Sequence, residues 1–282
     1  MQAKQVKKLK EALMYIFLIL FGVVMVYPLI WMFFASFKTN EEIFGSTALL
    51  PQSFSIEPFI HGWSSAGGLT YTTFFLNSFI MVVPVTLFTI ISSTSVAYGF
   101  ARFNFKGKKI MFMILLSTLM LPNAIIIIPR YIIFNNLGVL DGYGAFYLLS
   151  ILACYPFFVY MLVQFMRGIP KELDESAYID GCGTFRTLIF VLLPMLKTAL
   201  FSAGLFQFLW TYNDYFNSLI FIHSVSNFTA TMALRLSLDA ESIVNWGSVM
   251  AMSFLVVLPV VVLFFVCQKY FVEGIATTGL KG

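Results

Sequence analysis

The feature that most limits this chain is a series of long apolar runs, each bounded by charge. A helix needs about 20 mostly apolar residues to cross the hydrocarbon core of a bilayer. Six runs meet that length: within Ala12–Phe37, then near Tyr71–Phe100, Ile110–Ile128, Gly144–Met166, Thr198–Ile222 and Gly247–Gln268. Only 11% of the residues are charged, against roughly 25% in soluble domains. Too little polar surface remains to face water all round, so the chain must face lipid. Secreted, disordered and fibrous classes fail on the same ground. The expected fold class is all-α integral membrane, with six transmembrane helices in a single domain over 1–282. The first run is too long for a signal-peptide core of roughly 7–15 residues, and no small-residue cleavage site ends it, so an uncleaved first span is expected.

Charge orients the spans. With the N-terminal stretch 1–11 placed inside, 14 of the 17 Lys and Arg residues fall on the inner side. Lys38, Arg130 and Arg235 alone fall on the outer side. The positive-inside rule then puts both termini in the cytoplasm of a multi-pass membrane protein, and an even number of spans agrees. The net charge of +4 reflects anchors against an anionic leaflet and requires no nucleic-acid partner. Pro28, Pro84, Pro122, Pro156 and Pro259 lie in the apolar runs. Kinks of that kind are tolerated where neighbours or water-lined cavities satisfy the freed backbone groups.

Catalytic patterns are missing from the sequence. No span holds paired carboxylates, a Ser-His-Asp set or an HExxH, no GxxxxGK[ST] occurs, and the tail Gly274–Gly279 lacks the Gly-Lys-Ser/Thr step of a phosphate cradle. Cys154, Cys182 and Cys267 are odd in number and far apart, and His61 and His223 are isolated, so no metal site is expected. Proton-coupled carriers keep costly ionisable groups inside the membrane, and here only Asp214 lies in an expected span. Energy should therefore come from another subunit. The chain is expected to be no enzyme and to bind no cofactor of its own.

The most informative segment lies between the fourth and fifth runs, over about 167–197. Pro170 suits a first helical turn. Glu172, Asp174 and Glu175 suit the positive end of the helix dipole. Leu173 and Ala177, four apart, share a face, and Gly181 suits the left-handed residue that stops a helix. A short helix outside the bilayer results. It either rests on the membrane surface or docks into a partner.

This segment resembles the EAA loop of binding-protein-dependent ABC importer permeases. Glu175, Ala177, Gly181, Leu193 and Pro194 match that motif in register, with Ser176 in place of Ala and Val191 in place of Ile. The resemblance extends over nearly the whole chain, to the shorter permease of oligosaccharide importers of the maltose type. Asn77-Ser78, the stretch Ala97–Arg102, Trp210–Asp214 and the tail 269–282 carry it. It implies a type I permease fold, with Glu175, Ser176, Ala177, Asp180, Gly181 and Pro194 coupling to an ATPase. It also implies ATPase contacts from Gln268, Gly274, Gly279 and Lys281. The implied partners are a second homologous permease in a heterodimer, two ATPase subunits that bind ATP and Mg, and an extracellular or periplasmic sugar-binding protein. The implied cargo is a sugar or oligosaccharide, carried inward across a bacterial cytoplasmic membrane.

Sugar sites combine aromatic faces with a few fixed polar groups. Trp210, Tyr212, Asn213, Asp214 and Asn217 have that chemistry. They equally fit an interfacial aromatic belt. The loop His223–Trp246, with Asn227, Arg235, Asp239 and Glu241, is either a contact for the binding protein or a solvated connection. A permease for another solute, an ATPase-independent secondary carrier and a structural membrane scaffold are the competing classes.

Overall fold

The computed structural model describes residues 2–64, 68–238 and 244–279, with side chains over 7–64, 68–238 and 244–268. Its α-helices are α1 Gln2–Ala35, α2 Asn40–Gly45, α3 Glu57–Ser64, α4 Tyr71–Arg102 and α5 Lys108–Leu119. They continue with α6 Asn123–Asn136, α7 Gly144–Ile151, α8 Pro156–Arg167 and α9 Glu172–Ile179. Then follow α10 Thr184–Met195, α11 Lys197–Tyr212, α12 Tyr215–Phe221, α13 Ala230–Leu236 and α14 Trp246–Gly279.

Among the described residues, four segments are long and apolar enough to span a bilayer: Lys7–Ala35, Tyr71–Arg102, Gly144–Arg167 and Trp246–Gln268. Two bent pairs, α5 with α6 and α10 with α11, bring the number to six. The protein is thus an all-α, multi-pass membrane protein, as the apolar runs require.

Three of the apolar runs do not form one continuous helix. The third run breaks at Met120–Pro122, where α5 and α6 meet at 105°. Pro122 caps α6 in an extended conformation (ψ 141°), as a residue without an N–H can at a helix start. Arg130, expected in an outer loop, consequently lies inside α6. The fourth span is interrupted between α7 and α8, where Ala153 takes φ 54°. The fifth, expected over Thr198–Ile222, stops at Tyr212 and restarts as α12. On its other side α10 is bent 81° from α11. Within α10, Thr187–Leu192 widens into a π-helix, just before Pro194, which has no N–H to offer the Phe190 carbonyl. Pro28, Pro84 and Pro259 stay inside continuous helices.

The chain packs as two compact units: Met1–Tyr71 with Leu234–Pro259, and Thr72–Ala233 with Val260–Gly282. In the first, the rings of Phe33, Phe37, Phe59 and Phe254 pack at centroid distances of 5.1–5.3 Å. Asn40 donates to the Val244 carbonyl and accepts from the Trp246 N–H, at 2.7 and 2.8 Å, so its one amide stitches α2 to the start of α14. Lys38 is buried and donates through Nζ to the Ala48 carbonyl. Most of residues 38–64 thereby fold into or against α2 and α3.

In the second unit, α4, α8, α10 and α11 build a core around Ala97, Leu162, Val163, Met166, Leu192 and Leu196. A Cβ on Gly204 would come 2.9 Å from Ile90 Cδ1. Small residues permit such close helix approach where lipid supplies no hydrophobic drive. Asp141 closes this unit's loops. Its carboxylate accepts from the His223 and Ser224 N–H groups at 2.9 and 2.6 Å, and from the Ser224 hydroxyl. Asn227 donates to its carbonyl at 2.6 Å.

Candidate functional site

The segment between the fourth and fifth spans folds into α9 with both ends defined. Glu172, Asp174 and Glu175 occupy its first turn, where unpaired N–H groups favour negative charge. At the other end Gly181 takes φ +80°. Its N–H donates to the Tyr178 carbonyl at 3.0 Å, and the Cys182 N–H donates to Ala177 at 2.9 Å. This crossed pair of bonds is the Schellman arrangement, which satisfies the last carbonyls and turns the chain sharply. The left-handed residue expected from sequence is therefore present.

Side-chain directions differ from the face first inferred. Ala177 is buried within the chain itself, while Leu173 is only partly exposed. The apolar groups turned outward are Tyr178 (79% exposed), Ile179 (83%) and Phe185 (73%). Glu175, Ser176 and Asp180 of the same segment are exposed too, as is Pro194 near the end of α10. Ser176 donates back to the Glu172 carbonyl at 2.8 Å. Exposed apolar side chains rimmed by acid mark an interaction surface more often than a solvated loop does.

Three contacts from α4 hold this loop. Arg102 Nε lies 2.9 Å from Asp174 Oδ2, with the arginine side chain only 7% exposed. The same guanidinium donates to the Ile169 carbonyl at 3.1 Å. The Tyr98 hydroxyl donates to the Thr184 carbonyl at 3.1 Å. In the sequence, Ala97–Arg102 carries only a resemblance; the available hint is a cation at the end of a span, with a loop of four acids to receive it.

The polar residues of the fifth span are brought together only in part. Asp214 caps α12 by accepting from the Asn217 N–H at 3.1 Å. Asn217 Nδ2 donates to both Asp214 oxygens, at 2.9 and 2.8 Å, and Asn217 Oδ1 accepts from Asn123 at 3.0 Å. Arg130 reaches Asn123 at 3.4 Å. Trp210 instead packs on Phe157 and Phe158 at 5.1 and 5.2 Å. Tyr212 is buried against Phe208, with rings 5.9 Å apart. Asn213 is exposed and donates to its own helix at Leu209. Asn123, Arg130 and the buried Gln207, bonded to Thr211 at 2.8 Å, were not singled out. The polar Asn123 after Pro122 in an apolar run was the available sign.

In the tail, Gln268 is exposed, and Gly274 and Gly279 lie in the α14 backbone. Lys281 lies outside the described residues, as do Asp239 and Glu241 of the loop His223–Trp246. Asn227 of that loop is committed to Asp141, and Arg235 is exposed on α13.

Comparison with known proteins adds to this geometry. The family described as binding-protein-dependent transport system inner membrane component matches residues 90–277. A probable ABC transporter permease protein, YurM, of Bacillus subtilis is 33% identical over 96% of this chain and 89% of its own. The trehalose/maltose transport system permease protein MalG of Thermococcus litoralis is 30% identical, covering 97% of this chain and 98% of its own. The arabinooligosaccharides transport system permease protein AraQ of Halalkalibacterium halodurans is 30% identical, covering 91% of each. A chain in the crystal structure of a bacterial ABC transporter involved in import of the acidic polysaccharide alginate shares the fold. Its TM-score is 0.82, at 19% identity, with 94% of this chain and 97% of that chain covered.

Proposed function

Given that this chain belongs to the family of binding-protein-dependent transport system inner membrane components, we propose that it is the permease subunit of an ATP-driven importer for sugars or oligosaccharides. It forms half of the translocation pathway, with a second homologous permease as the other half. Two ATPase subunits attach on the cytoplasmic side and bind the ATP and Mg; this chain binds no cofactor and hydrolyses nothing. A sugar-binding protein delivers cargo from outside. Both termini lie in the cytoplasm of the inner membrane, as the Lys and Arg distribution demands, and both compact units belong to one permease domain over 1–282.

The observation that carries this reading is α9, a short helix with an acidic first turn, a left-handed stop and the outward side chains Tyr178 and Ile179, followed by the exposed Phe185 at the start of α10. Held rigidly and presented outward, it suits a groove on an ATPase. ATP-driven closure of the ATPase pair displaces α9, and the displacement reorients the spans. Glu175, Ser176, Asp180, Gly181 and Pro194 act in this coupling, Ala177 by seating the helix. Gln268, Gly274, Gly279 and Lys281 add a second contact with the ATPases. The relatives whose names mention trehalose, maltose and arabinooligosaccharides support sugar as the cargo. Asp214 and Asn217, oriented by Asn123, are candidates to hydrogen-bond it, with Trp210, Tyr212 and Asn213 placing the aromatic and amide groups nearby.

Co-purification of the tagged chain from its native membrane tests the reading. A second permease and an ATPase should come with it, and the ATPase should be lost when Glu175 and Gly181 are changed together. A chain that purifies alone and carries solute into vesicles without ATP would make it a secondary carrier instead.

A further inference from the structure

The coupling helix is fastened to a span that is remote from it in sequence. Tyr98 and Arg102 are four residues apart in α4 and share one face. From that face they reach the loop at three points. Arg102 donates to Ile169 before α9 and pairs with Asp174 in its first turn, while Tyr98 donates to Thr184 after it. The Tyr98 ring is fixed in turn by Phe103, at 5.1 Å edge-on. Tyr98 belongs to the buried apolar cluster that includes Val159, Leu162, Val163, Met166 and Leu188.

A buried ion pair is a poor source of net stability, because desolvation offsets the attraction. Its use is to hold one geometry against others. Neither oxygen of the partly buried Asp174 carboxylate has a hydrogen-bond partner among the described residues, nor has Arg102 Nε, so the charge contact with Arg102 at 2.9 Å is what compensates that carboxylate. Losing Arg102 leaves that charge uncompensated and lets the start of α9 swing outward toward water.

Resting on the permease reading above, we propose that Tyr98 and Arg102 are positioning residues. They clamp α9 to the end of α4, so that the coupling helix and the second span move as one body. The flanking segments of α9 then serve as tethers, and α4 carries the stroke.

The test uses the full importer, reconstituted in proteoliposomes with its partner permease, ATPases and binding protein. Sugar uptake and ATP hydrolysis are measured together. Tyr98→Phe removes only a hydroxyl and keeps the ring. Arg102→Gln keeps a hydrogen-bond donor and loses the charge. Both should leave the ATPases bound and hydrolysing, while sugar moved per ATP falls, by roughly tenfold for Arg102→Gln, within the usual range of coupling effects. The paired Arg102→Asp, Asp174→Arg change should recover part of that ratio. If both single variants keep the unaltered ratio, the clamp is overturned. It is equally overturned if uptake and hydrolysis fall in proportion with the amount of assembled complex, since the residues then serve assembly alone. An unaltered chain that needs no ATPase for uptake would instead overturn the permease reading, and this inference with it.

Discussion

Gly181 and Gly247 are required for different physical reasons, and the two separate in experiment. A Cβ on Gly181 meets nothing within 4 Å, but its φ of +80° is unfavourable for any L side chain. The cost of Gly181→Ala is therefore conformational, about 1–2 kcal/mol, and Asn should be milder because it tolerates this region. Uptake should fall in the order Gly, Asn, Ala, while immunoblots of membranes show unchanged insertion. Gly247 is restricted by space: an added Cβ would lie 2.5 Å from the Lys38 carbonyl oxygen and 3.3 Å from Pro58. Gly247→Ala must push α14 off that backbone, at a cost of about 1–3 kcal/mol. It should lower the melting temperature in detergent, and Asn would not rescue it. A melting temperature unchanged by Gly247→Ala would contradict this close approach.

At the scale of elements, the loop residue Asp141 joins the turn before α7 to the segment after α12. The Ser224 hydroxyl, then the Ser224 and His223 N–H groups, hold its carboxyl at about 2, below the usual carboxylate value of about 3.9. A depressed folded value means that the ionised form is the bound, stabilising one. Its contribution is complete above pH of about 4 and is lost as pH falls toward 2. The melting temperature of the unaltered protein should exceed that of Asp141→Asn at neutral pH. That difference should shrink through this acid window, and a pH-independent gap would assign the effect to packing. The group is largely solvent-facing, so the difference should be modest. The broken spans belong to this scale too. Pro122 ends one apolar run, Asp214 starts a new helix within another, and the two breaks bring Asn123 to Asn217.

At the scale of the whole molecule, α1 is the least covered by the rest of the chain among the four described helical segments long enough to cross a bilayer. Leu13, Phe17, Leu20 and Val24 are each more than half exposed, and none of the span's most apolar stretch is buried by the rest of the chain. Lipid or a second permease must cover it. Ligands and subunits that bind only the folded state stabilise by mass action. Co-expression with the partner permease should therefore raise the melting temperature of the detergent-solubilised chain above that of the chain alone. An identical melting curve for the two preparations would mean that the partner leaves the chain's stability untouched. Orientation is testable separately. A periplasmic-active reporter enzyme should be silent when fused at the C-terminus and active within the loop His223–Trp246. The opposite pattern would reverse the topology.

Sequence alone determined the membrane class, the number of spans, the loop with α9 and its stop at Gly181. Each depends on physics that acts along the chain: the length of an apolar run, the spacing of charges, the φ preference of one residue. Charge asymmetry gave the orientation expectation in the same local way. Tertiary structure decided the rest. It bent the third and fifth spans, moved Arg130 from a loop into α6, buried Ala177 and turned Ile179 outward. It joined Tyr98 to Thr184 across 86 positions and Arg102 to Ile169 across 67. None of these has a one-dimensional signature, because a hydrogen bond or ion pair between distant positions depends on which helices pack together. Inside a membrane that packing is set by shape and polar satisfaction, and an apolar run of uniform hydropathy does not encode which of its faces meets a neighbour.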